Sequence, residues 1–389
     1  MRIQNHHRNT TTYQNQHPEI DRETLTPLVR KTLNSKTAQV TGWECRQVHG
    51  GAGTGTAIYR VSGEGRDKEA DHGWSLILKV LQPSTGNTEA STWNYYKREA
   101  DAYRSGLLDD LQGGLKAPKC YAVTDRGDEG CWIWLEDVKE DIGPRWPVEH
   151  YGVAARQLGR FNGRYVNEDL PDWPWLSRKW MRSWVDYTSS KMGSFNELLD
   201  HPYVKLLLPG DQVDKMFGLW DEREIFFEAL DRLPQTLCHL DAFRRNMFAR
   251  RLDGGDYQTV LIDWAFIGRS PVGSEILPLV RATTSFFHVD LSDFKRLEEV
   301  VLSGYLNGLR DAGWRGDPKL VKLGYTASNI RYSFSTNLIT SLIVNEEAGP
   351  RVRQTYGCSV EELLAYWGRC RKMFTGLDDQ ARMLMKVVG

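Results

Sequence analysis

Residues 246–264, NMFARRLDGGDYQTVLIDW, set two β-prone runs around an Asp-Gly-Gly-Asp turn within a region otherwise patterned for helices. Such a turn between apolar runs is a strong hairpin signal, so the chain must accommodate a strand pair here. With Gly254 and Gly255 as a two-residue turn, Asp253 faces Asp256, and stepping outward brings Asn246 opposite Asp263. Side chains paired on one face have Cβ atoms ~5 Å apart, about the separation that two ligands of one divalent cation need. An amide oxygen and a carboxylate are hard donors suited to Mg2+, which also takes water and phosphate oxygens.

The rest of the chain changes character once. Residues 21–34 read as a short amphipathic helix with Leu25, Leu28, Val29 and Leu33 on one side. Residues 43–50, 56–63 and 74–82 then read as strands separated by turn signals, an antiparallel meander. Residues 91–108 carry Trp93, Tyr96 and Ala100 at helical spacing, and 131–138 return to strand character. From about 139 helical patterns dominate, clearest over 148–165, Trp-rich up to 232, and almost continuous over 290–388. The expected organisation is a polar tail over 1–20, a β-rich lobe over 21–138 and a helical lobe over 139–389. A chain of 389 residues is long enough for two or three such bodies.

Composition removes several classes of function. Fifty basic residues against 51 acidic ones leave almost no net charge, which argues against a nucleic-acid partner. The six cysteines form no CxxC pair and read as reduced thiols, placing the chain in the cytoplasm. Residues 1–20 lack the apolar core of a signal peptide, and His6, His7 and His17 belong to a polar tail rather than a metal site. No apolar run approaches the ~20 residues that span a bilayer, so no membrane partner is expected. The totals leave the oligomeric state open.

Upstream of the hairpin lies HLDAFRRN, residues 239–246. Asp241 stands five residues before Asn246 on the loop feeding the first strand, a place from which a carboxylate can orient a hydroxyl and accept its proton beside a metal-bound phosphate. His239, Asp241 and Asn246 match H-x-D-x-x-x-x-N, and VLIDW ends an apolar strand on Asp263 and Trp264. With these two motifs in order, the chain resembles the aminoglycoside phosphotransferase and choline kinase superfamily, over roughly residues 40–280.

The resemblance implies an α+β, two-lobed protein-kinase-like fold. Its N-lobe would be a small antiparallel sheet with one key helix, and its C-lobe larger and mainly helical. It implies a Mg2+-dependent phosphotransferase using ATP or GTP and a small hydroxyl-bearing substrate. The glycine-rich turn with Gly51, Gly53 and Gly55 would approach the phosphates, because glycine has no Cβ to obstruct them. Lys79 on the third strand would grip the nucleotide, held by Glu99 of the following helix, with Asp101 as the fallback. The segment Glu136, Asp137, Val138 would meet the adenine through its backbone. Trp264 in place of the Phe of D-F-G, and no A-P-E segment, set the chain apart from protein kinases. Glu275 stands near the family's helix-anchoring Asp, and Asn162, where many relatives have His, is expected to be structural.

Some roles stay open at the level of sequence. Arg244 or Arg245 either supplies charge to the transferred phosphoryl group or pairs with local carboxylates and fixes the loop. His239 is a candidate catalytic residue whose better role is bracing the loop. Trp173, Trp175, Trp180 and Trp184 either stack on the acceptor or pack between helices, and residues 328–338 are candidates to line the same site. The acceptor itself is open among an aminoglycoside, a choline-like alcohol, a sugar and another metabolite. The competing function is a catalytically silent nucleotide- or ligand-binding protein on the same scaffold.

Overall fold

The first helix begins where a cap is available: the Asp21 carboxylate accepts the Thr24 N–H at 2.7 Å, and α1 (Arg22–Thr32) follows. Next come β1 (Gln39–Val48), β2 (Thr56–Arg66), β3 (Asp71–Leu81), α2 (Arg98–Arg104), β4 (Leu115–Lys116), β5 (Cys120–Asp125) and β6 (Cys131–Glu136). This computed structural model describes residues 18–48, 56–68, 70–345 and 348–388. They fall into two units, one holding the described residues up to Leu81 with Cys120–Asp137, the other Gln82–Lys119 and the chain from Val138 onward. The second unit thus includes residues 82–119, which the sequence placed with the β-rich part.

In the first unit five strands form one antiparallel sheet in the order β1-β2-β3-β6-β5. Alternation puts Tyr59, Val61, Trp74, Leu76, Leu78 and Trp134 into a single core, closed by Leu25, Leu28 and Val29 of α1. β5 carries no fully buried residue, and its weak alternation explains why it was not anticipated.

The second unit continues with α3 (Val148–Asn167), α4 (Trp180–Thr188), α5 (Pro202–Leu207), α6 (Gln212–Arg232) and β7 (Gln235–Cys238). Then come β8 (Met247–Arg251), β9 (Tyr257–Leu261), β10 (Gly268–Pro271), α7 (Ile276–Ser285), α8 (Phe294–Asp311) and α9 (Pro318–Ala327). The chain closes with α10 (Thr336–Val344), α11 (Ala348–Tyr356) and α12 (Val360–Val388). Its main core joins Met216, Phe226 and Leu230 of α6 to Leu323 of α9 and Leu363, Leu364 and Ala381 of α12. β7 pairs with β10, while β8 and β9 form the expected hairpin with β4 alongside β9.

Two expectations need correction. The helix over 91–108 is helical only in α2. The buried Arg98 guanidinium binds the carbonyls of Thr92 and Trp93, with those of Trp175 and Ala265, and so captures acceptors that a helix would have used. The hairpin turn also has three residues, not two. Leu252 N–H bonds to Asp256 O at 2.8 Å and Gly255 takes φ +86°, left-handed backbone that suits glycine. The extra residue shifts the register by one, pairing Met247 with Leu261 and leaving Asn246 opposite Ile262, not Asp263.

Candidate active site

β7 buries Leu237 and Cys238 and delivers the chain to His239. The loop is then fixed from several sides. Glu275, at the start of α7, accepts the His239 N–H at 2.6 Å and the Leu240 N–H at 3.0 Å. It therefore anchors this loop by its backbone. Burial pushes its carboxyl up to about 7, while the hydrogen bonds from His239, Leu240, Asn162 and Cys238 pull the other way. His239 is fully buried with both ring nitrogens engaged: Nδ1 accepts the Asp241 N–H at 3.1 Å, so Nε2 carries the proton and donates to Ile262 O at 2.9 Å. Its edge packs on Trp264, 4.7 Å between centroids. These contacts give His239 the bracing role.

Asp241 emerges from this support with 23% of its side chain exposed. Asn246 Nδ2 donates both to its backbone carbonyl and to Oδ2, each at 3.0 Å. Asp263 stands one residue beyond Ile262 with φ 65°, at the start of the turn Trp264–Phe266. Burial raises the Asp241 carboxyl to about 6; Asp263's charge adds to the rise, whereas Arg331 and the Asn246 bond oppose it. Asp263 and Asn246 both act on Asp241 without the strand pairing first expected, and Asp263, two residues beyond β9, is itself in left-handed backbone.

This donor set fits a hard cation. Asn246 directs its NH2 at Asp241, which leaves its Oδ1 without a protein donor among the described residues. With the Asp263 carboxylate it offers two oxygen ligands, and Mg2+ characteristically takes only one or two protein ligands beside water and phosphate. Among the described residues no group of three or more His, Cys, Asp or Glu side chains is placed to bind a metal.

The two arginines of the loop differ. Arg244 is buried and donates to Glu140 Oε2 at 3.0 Å, Gly143 O at 2.8 Å and Met247 O at 2.7 Å, with its guanidinium 4.4 Å from the Trp146 ring. These contacts are those of the loop-fixing alternative, and they engage the charge expected to meet phosphate. Arg245 is exposed, lies 4.2 Å from the Phe286 ring and donates weakly to His288 at 3.4 Å. The positive charge beside Asp241 is instead Arg331, whose Nη2 lies 3.6 Å from Oδ1. Sequence marked the stretch 328–338 but not this residue.

The remaining candidates are placed as follows. Lys79 is buried in the middle of the first unit's sheet, between Ile58 of β2 and Ile133 of β6. Glu136 closes β6 opposite Leu76. In the second unit Glu99 is buried in α2, Val138 is buried, and Asp101 binds the Tyr95 hydroxyl and Arg104. Gly51, Gly53 and Gly55 lie outside the described residues. Asn162 is structural, donating to Leu237 O at 2.7 Å and accepting the Tyr305 hydroxyl at 2.8 Å. Trp173 stacks on Trp175; Trp180 stacks on Trp184 and packs beside Leu240 with Trp93 and Phe266.

Among curated proteins none matches this chain. Solved structures share its fold. The choline kinase of Cryptosporidium parvum Iowa II is 14% identical, with 94% of this chain and 99% of that one covered at a TM-score of 0.54. An amicoumacin kinase in complex with AMP-PNP, Ca2+ and Ami is 14% identical, with 85% and 88% covered at a TM-score of 0.50. The fold class expected from the sequence, a small antiparallel sheet followed by a larger, mainly helical part, is the one observed, with five strands in the sheet. Residues 68–296, more than half of the sequence, match the profile of the phosphotransferase enzyme family, and the chain belongs to that family.

Proposed function

We propose that this family member moves the terminal phosphoryl group of ATP or GTP to a hydroxyl of a small molecule, with Asp241 as the general base. The observation that carries the reading is the nearness of Asp263 to Asp241, which Asn246 holds on a loop braced by His239 and Glu275. Asp241 orients the acceptor hydroxyl and takes its proton at an oxygen of the carboxylate. Asn246 and Asp263 hold Mg2+, which when bound neutralises charge on the phosphates. Lys79 grips the nucleotide phosphates. Nucleotide use is supported by the relative in complex with AMP-PNP and Ca2+. Glu99 as the partner of Lys79, Glu136 and Val138 as the adenine contacts, and the cytoplasm as the setting stay part of this reading.

The test is ATP and GTP consumption over a panel of alcohols and amines, followed by mass identification of the phosphorylated product. Asp241→Ala is expected to lower turnover by ~10²–10⁴, the usual worth of a positioned base, with nucleotide affinity nearly intact. Turnover equal to wild type in that variant would remove Asp241 from the mechanism. Nucleotide binding without any product would favour the silent-scaffold alternative.

A further inference from the structure

The residue before the base is held in strained backbone. Leu240 has φ 70°, a left-handed conformation disfavoured for an L-residue with a Cβ. Two buried charged side chains keep it there. Glu275 accepts its N–H at 3.0 Å, and Arg331 Nη1 donates to its carbonyl at 2.8 Å. The other terminal nitrogen of Arg331 faces Asp241 Oδ1 at 3.6 Å. Its Nε–H has no partner among the described residues, although leaving a buried donor unsatisfied is unfavourable. The guanidinium is therefore oriented toward the Leu240–Asp241 pair at the expense of its third donor direction.

Its surroundings allow little else. Arg331 is 3% exposed, and its guanidinium lies 4.2 Å from the Trp180 ring and 4.6 Å from the Tyr332 ring. Trp184 donates its indole N–H to Arg331's own carbonyl at 3.1 Å. Behind it, Arg281 of α7 donates to Tyr332 O at 3.1 Å, and Asn329 donates to Asp378 of α12 at 2.8 Å. The 3-10 turn Ser328–Tyr332 is thus pinned from two helices.

We propose that Arg331 is the positioning residue of the general base. It holds the strained Leu240 peptide and the Asp241 carboxylate with one guanidinium, and so fixes the direction in which the carboxylate meets the acceptor. This inference rests on the phosphotransfer reading above. Without Arg331 the Leu240 peptide can relax out of its left-handed conformation and Asp241 turns with it.

Wild type, Arg331→Ala, Arg331→Lys and Asp241→Ala would be compared for ADP formation from ATP with Mg2+ over the same panel of alcohols and amines, for nucleotide affinity and for melting temperature. A base displaced by an ångström loses ~10² in rate, so Arg331→Ala is expected to lose about that much in kcat with nucleotide affinity unchanged. Arg331→Lys should recover part of it. Methylguanidinium should enter the space beside Trp180 and Tyr332 that truncation opens, change tryptophan fluorescence saturably, and restore turnover to Arg331→Ala but not to Asp241→Ala. Wild-type kcat in Arg331→Ala overturns the inference, as does a loss that tracks nucleotide affinity and responds neither to lysine nor to methylguanidinium. A wild-type protein that forms neither ADP nor a phosphorylated product with any member of the panel removes the phosphotransfer reading and this inference with it; an active wild type with an unaffected variant removes the inference alone.

Discussion

Glu275, Arg331 and Arg244 are ionisable groups taken out of water, and each is tied to backbone atoms in or beside the loop that carries Asp241. Burying a charge is costly unless it is hydrogen-bonded, so these residues bear on stability as well as on geometry. Glu275 gives the clearest case, because burial raises its carboxyl from the ordinary 4.5 to about 7. The folded chain then holds that proton more tightly than the unfolded one. The contribution is full below about pH 4.5 and is lost as pH rises through about 7. The melting temperature of wild type relative to Glu275→Gln should therefore fall between about pH 5 and pH 8. A difference that stays constant over that window would mean Glu275 keeps one protonation state throughout. Spacing made Asp241 and Asn246 legible, since they lie within one loop. Arg331 was not, because the fold brings it from 91 residues beyond Leu240, and Glu140 reaches Arg244 from 104 residues before it.

Elements that carry no catalytic group set where the loop lies. α3 and α8 approach so closely that a Cβ on Gly159 would stand 2.3 Å from the Tyr305 carbonyl. α3 also presents Asn162, which holds Leu237 O of β7 and the Tyr305 hydroxyl of α8. Gly159→Val would force the two helices apart at about 1–3 kcal/mol, lowering the melting temperature by several degrees and reducing turnover through β7. Gly218→Ala in α6, where an added Cβ meets nothing within 4 Å, is the matched control and should be neutral or mildly stabilising. Equal melting temperatures for Gly159→Val and wild type would show that the contact yields without strain. Elements with strong periodicity, β1 to β3, β6 and α3, were legible from the sequence. The two-residue β4 and the four-residue β7 and β10 were not, because strands so short are fixed by their neighbours and carry no alternation of their own.

For the molecule as a whole, charge is nearly balanced, and among the described residues no helix is long and apolar enough to cross a membrane. The change of period near residue 139 falls beside Asp137, where the sheet unit ends, whereas residues 82–119 group with the second unit, which no change of period announces. That grouping depends on Arg98, whose bonds run to Trp175 and Ala265, and no local pattern reports such contacts. Ligand linkage gives a global measure of the site. A ligand that binds only the folded chain stabilises it by RT ln(1 + [L]/Kd), about 2.7 kcal/mol at 100 Kd. If Asn246 and Asp263 hold Mg2+ under a triphosphate, most of that gain depends on the cation. A non-hydrolysable ATP analogue should then raise the melting temperature clearly with Mg2+ and much less with EDTA, and Asp263→Asn or Asn246→Ala should abolish the difference. Asp241→Ala should keep it, since the proposed function directs Asp241 to the acceptor rather than to the nucleotide. Were the shift the same with EDTA, or undiminished in Asp263→Asn, the two oxygens beside Asp241 would be holding the loop together and not a metal.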